Sequence, residues 1–214
     1  MGLRRPVFYP LSLLVGALLV TAAALAHPAL VGDGATQLAT IAASGRWTTI
    51  HWAFLFAFPL SITGLVGVVG VNVGTRGESA ARAGLVVSVF AYACWMIIVA
   101  FMLGAGGALA GASRGPLGAN ALFLYDVLRP FALATQRVGG FSLGLATYLF
   151  GWGVWNGKVL PPWTALLAIA GGAAGAALAL TAPASSPLDQ VAYAPPIVWQ
   201  LVTALALLRA PQPS

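Results

Sequence analysis

Charges in this chain lie so far apart that six uncharged stretches separate them: 6–32, 47–75, 83–113, 138–157, 159–188 and 190–208. A helix crosses the hydrocarbon of a bilayer with about 20 mainly apolar residues. Inside hydrocarbon, a chain that leaves backbone groups unpaired pays heavily, so helices are the form such stretches take. The sequence therefore predicts an all-α polytopic transmembrane helix bundle with six spans, at about 7–29, 47–71, 83–108, 135–156, 161–182 and 193–209.

Composition agrees. Of 214 residues 60% are hydrophobic and 7% charged, and the mean hydropathy is +0.92. Water-soluble domains carry about 25% charged residues, so lipid must cover the surface that charge would otherwise cover. The spans use most of the length, which leaves one membrane domain over 1–214. The net charge of +6 has no stripe or patch for phosphates to follow, which argues against nucleic acid.

Lys and Arg at span ends orient the bundle. With the N-terminus inside, the cytoplasmic segments hold Arg4, Arg5, Arg76, Arg82, Lys158 and Arg209, with Glu78 the only acid. The opposite side holds Arg46, Arg114, Arg129 and Arg137, offset by Asp33, Asp126 and Asp189. N-in, C-in follows. One Lys against nine Arg, with abundant Ala and Gly, points to a GC-rich bacterial source and so to the cytoplasmic (inner) membrane. The first span has a competing reading: Arg4–Arg5, an apolar run and Ala24-Leu25-Ala26 have the form of a signal peptide cleaved after Ala26. Its spanning length and the spans that follow favour a retained helix.

Short interfacial helices are expected on the outer side. Asp33 can cap one that runs through Gln37–Ala42 and ends at Gly45. In the segment 109–134, Asn120–Arg129 is too apolar for a loop and reads as an interfacial or re-entrant helix broken before Pro130.

Small residues let helices approach closely in lipid. Gly70/Gly74, Gly107/Gly111, Gly140/Gly144 and Gly171/Gly175 are each four apart, and the span at 161–182 is thin enough for the middle of a bundle. Pro59 predicts a bend in the second span. Trp47 and Trp52 form an outer aromatic belt, with Trp152, Trp155 and Trp163 its inner counterpart, while Trp95 and Trp199 fall mid-membrane.

No nucleotide, haem-attachment or hydrolase motif is present, no carboxylate falls mid-span, and Cys94 is the only cysteine. The only histidines, His27 and His51, stand at matched depth near the outer boundary. Together they are candidate ligands for haem or a metal; separately they are an interfacial residue and an interhelical hydrogen bond. Arg137 is a candidate anion site at an outer vestibule, or else it snorkels or pairs with Asp126. Gln200, the one amide inside the last span, reads as an interhelical hydrogen bond or a pocket lining.

These features favour a non-enzymatic accessory or scaffold component. Its partners would be the lipid bilayer, other membrane subunits, or a second copy through Gly-rich faces. The alternatives are a small-solute transporter or a haem- or metal-binding protein using His27 and His51.

Overall fold

The computed structural model describes residues 7–183, 186, 188 and 191–209. Among these are α1 (Phe8–Ala26), α2 (Gly34–Ala43), α3 (Trp47–Asn72), α4 (Glu78–Phe101), α5 (Gly107–Ala112), α6 (Gly118–Gly157), α7 (Pro162–Thr181) and α8 (Ala194–Arg209). A π-helical segment, Met102–Gly106, joins α4 to α5 without interruption.

Four helical stretches are long and apolar enough to cross a membrane: Phe8–Ala26, Trp47–Asn72, Glu78–Ala112 and Pro162–Thr181. The other two expected spans are helical as well. The face that α6 buries is made of small and hydroxyl residues (Gly139, Gly140, Ser142, Gly144, Thr147, Gly151), which lowers its hydropathy. α8 is apolar but has only 16 residues.

The six helices close a ring. α1 packs on α3, α3 on α4, α4 on α6, α6 on α7, α7 on α8, and α8 returns to α1. Close approaches show that neighbours run antiparallel. Tyr9, Leu13 and Gly16 meet Gly67, Gly64 and Ser61 in reverse order, and Gly144 and Gly151 meet Ala176 and Ile169 likewise. The middle of the ring is filled. Phe58 stacks toward Tyr92 with ring centres 5.3 Å apart, and Phe150 lies on Trp199 at 5.4 Å.

A second, smaller core sits on one end of the ring, the cap end. It is built from Leu38 and Ile41 of α2, Trp47, Ile98, Met102, Ala110 and Tyr125. Its helix α2 is the one expected from sequence: the Asp33 carboxylate accepts from the Thr36 N–H at 2.8 Å, capping the first turn.

Several expectations need correction. Asn120–Arg129 is not a separate re-entrant helix broken before Pro130, because α6 runs through Pro130 for 40 residues. A proline removes only its own N–H and crowds the carbonyl four residues back. The exposed turn at Asp126 accommodates that loss. At about 1.5 Å per residue, α6 is roughly 60 Å long, about twice the hydrocarbon thickness. Its first half and the end of the α4–α5 stretch therefore form a hairpin beyond the ring, against which α2 packs. α3, by contrast, runs through Pro59 as its expected span did, with the proline ring exposed.

α7 is not central. Trp163, Leu166 and Leu180 are exposed, so one side faces outward. Its small residues serve two neighbours instead: Gly172 and Ala176 meet α6, while Gly171 and Gly175 meet Pro195, Ala192 and Pro196. Of the four Gly pairs, Gly140/Gly144 and Gly171/Gly175 are contact sites, but Gly70, Gly74 and Gly111 have open space where a Cβ would stand. Gly74 has φ +75°, so it serves a turn. Trp47, finally, is 5% exposed and belongs to the cap core rather than to an aromatic belt. Trp52, Trp152, Trp155 and Trp163 are exposed, as a belt requires.

Candidate functional site

His27 follows the last residue of α1, and Pro28 follows it. The residue before a proline is driven out of helical conformation, and His27 is accordingly extended at φ −71°, ψ 127°. That turn swings its ring inward over the top of α3. There His51, one turn into α3 and almost fully buried, lies with its ring centre 5.2 Å away and the planes at 62°. The two histidines therefore do meet.

Each imidazole is oriented by a main-chain carbonyl. The Nδ1 of His27 lies 2.8 Å from the Pro28 oxygen, and the Nδ1 of His51 lies 2.8 Å from the Trp47 oxygen. A carbonyl only accepts, so each bonded ring carries a proton on Nδ1, and in its neutral form the lone pair is on Nε2. Burial lowers the pKa of His27, which favours this neutral form.

Trp47 completes the cluster. Its ring stands 4.1 Å from His51 and 5.2 Å from His27, and Phe54 approaches both imidazoles at 6.3–6.4 Å. The Trp47 Nε1–H donates 2.9 Å to the Met102 carbonyl, the first residue of the π-helical segment. A π-helical turn shifts the backbone bonding by one residue and turns a carbonyl away from its usual partner. The Met102 carbonyl accepts from the Gly107 N–H within the π-helical turn, and the indole is a second donor to it inside the cap core. Sequence reasoning missed both Trp47 and Met102. The available signals were the four-residue spacing of Trp47 and His51 on one helix face, and the glycines of Met102-Leu-Gly-Ala-Gly106.

The other candidates lie elsewhere. The Arg137 Nη2 donates 2.7 Å to the Ala182 carbonyl just beyond α7. A cation there satisfies an unpaired carbonyl and complements the negative end of the helix dipole. Gln200 is fully buried in the ring centre. Its Nε2 donates to the Tyr92 hydroxyl at 2.8 Å, and that hydroxyl faces its Oε1 at 3.1 Å. Around this pair, Trp199 Nε1 and Thr203 Oγ1 are buried with no hydrogen-bond partner, and Ser61 lies beside the Tyr92 hydroxyl. His27 and His51 converge, then, while Arg137 and Gln200 occupy two separate places.

The cap is tied down by polar contacts. The Tyr125 hydroxyl donates to Gln37 Oε1 at 2.9 Å, and Arg129 donates to the Gly32 carbonyl at 3.1 Å. Burial pushes the Tyr125 phenol up to about 12, so it donates throughout the physiological range. Among the described residues, no three His, Cys, Asp or Glu side chains gather as a metal cage. Two surface recesses flank the bundle. One lies beside Ala26, Pro28 and Arg46 at the cap end, and the other lies beside Lys158, Trp163 and Arg209 at the opposite end. Compared with protein-family models, curated proteins and solved structures, the chain matches none.

Proposed function

We propose that this protein is a non-enzymatic accessory or scaffold component of a bacterial cytoplasmic membrane, with six spans, both termini inside and the cap outside. The filled centre of the helix ring carries this reading. Phe58, Tyr92, Phe150, Trp199 and Gln200 occupy the place where a carrier would keep a passage, and the recesses noted above are at the ends. α1 supports retention of the first span, because Leu13 and Ala17 are fully buried and its packing against α3 and α8 closes the ring.

A partner surface is also at hand. On the first half of α6, Phe123, Val127 and Phe131 recur every four residues and are at least 57% exposed. Apolar side chains on one helical face, on a portion reaching past the hydrocarbon, suit another membrane subunit. Mild-detergent purification tests this reading: the tagged protein should bring down a defined membrane partner in fixed ratio, and lose it on Phe123→Glu with Val127→Glu. A solitary, monodisperse protein that functions without partners overturns it.

A further inference from the structure

We propose that His27 and His51 form a two-imidazole site for one d10 transition-metal ion, Cu⁺ or Zn²⁺, with its remaining coordination positions open to exogenous ligands. Both rings are already set as ligands. In protein metal sites a coordinating histidine commonly donates its other ring N–H to a backbone carbonyl, which fixes tautomer and orientation. Here each Nδ1–H is engaged in this way, at 2.8 Å in both cases, before any metal arrives.

The spacing selects the geometry. With a metal–nitrogen bond of about 2.0 Å and about 1.15 Å from nitrogen to ring centre, tetrahedral bis-imidazole coordination puts the ring centres about 5.1 Å apart. The observed separation is 5.2 Å. Two imidazoles on opposite faces of a haem iron would stand about 6.3 Å apart by the same bond lengths, with a flat macrocycle between them. Trp47 packs within 5.2 Å of both rings. The pair therefore fits a bare ion and not haem.

The donor set narrows the ion. Neutral imidazoles suit Cu, Zn, Ni and Fe rather than Mg or Ca, which require oxygen ligands. Tetrahedral coordination without a ligand-field preference is the habit of d10 ions. A locked structural site uses four protein ligands and a catalytic zinc site three. Two ligands hold an ion loosely enough to pass it on, and His27 is the partly exposed member of the pair, next to the cap-end surface. The site is thus suited to accepting and releasing metal at the membrane face.

The test uses full-length protein in detergent. It is titrated separately against Cu⁺ and against Zn²⁺, each held by a chromophoric chelator, and the metal it retains in that competition is read at equilibrium. Wild type should hold one equivalent of one or both ions, the arm that binds naming the ion. His27→Gln and His51→Gln should each weaken binding at least about tenfold, and Co²⁺ should give the intense visible absorption of tetrahedral cobalt. His27→Gln lies at a partly exposed helix end, so it keeps the test alive should the buried variant fail to fold. Wild type that retains neither ion, or equal retention by the variants, overturns the site. Neither result bears on partner co-purification, so the scaffold reading stands or falls on its own experiment.

Discussion

Gly144 and Gly70 offer the sharpest test of how this bundle is held, because one substitution should have opposite signs at the two positions. A Cβ at Gly144 would stand 2.8 Å from the Gly172 carbonyl oxygen and 2.9 Å from the Ala176 Cα, with the Ala176 amide nearer still. All three are main-chain atoms, so no rotamer change relieves the crowding. α6 and α7 must separate by most of an ångström. Dispersion falls steeply with such a gap, and overpacking typically costs about 1–3 kcal/mol. The better helix propensity of alanine returns about 1 kcal/mol, so Gly144→Ala should destabilise by up to about 2 kcal/mol net. Gly70→Ala meets nothing within 4 Å and should stabilise by about 0.5–1 kcal/mol. Unfolding in mixed micelles with rising SDS, followed by tryptophan fluorescence, reads both. Gly144→Ala equal to or more stable than Gly70→Ala would refute backbone-on-backbone packing as what joins α6 to α7.

Three further outcomes follow from the polar contacts. Trp47→Phe removes one of two donors to the Met102 carbonyl, which keeps the Gly107 N–H, at a cost of about 0.5–1.5 kcal/mol; amide exchange around 98–106 should accelerate more than exchange in α7. Tyr92→Phe strips Gln200 of its partner in the ring centre and should cost about 1–3 kcal/mol, whereas Tyr92→Phe with Gln200→Leu should recover part of that loss in the same SDS titration. Asp33 is held below its ordinary 3.8 by the Thr36 hydrogen bonds, so its contribution is present above that value and lost as pH falls through the depressed one. Protease cleavage within 27–46 should therefore rise in acid for wild type, and Asp33→Ala should be equally susceptible at every pH.

Taken alone, the residues determined a good deal of this protein. The spacing of charges marks where helices must lie, since an unpaired backbone in hydrocarbon is prohibitive, and α1, α3, α7 and α8 sit close to those bounds, while α6 starts well before its expected span. Asp33 and the apolar period after it placed α2, because capping is local chemistry. The matched depth of His27 and His51 was likewise legible from helical rise. What sequence could not decide is which faces meet. A glycine four residues from another says nothing of its neighbour, so Gly140/Gly144 and Gly171/Gly175 could not be told from Gly70/Gly74. Whether Pro130 ends a helix or is carried through depends on contacts around it, and here α6 runs on beneath the cap. Arg137 found the carbonyl just beyond the next helix, Gln200 a tyrosine on the opposite helix of the ring, and Trp47 a π-helical carbonyl 55 residues along the chain. Periodicity records where a side chain points along its own helix. The partner it points at is decided by how the whole ring closes.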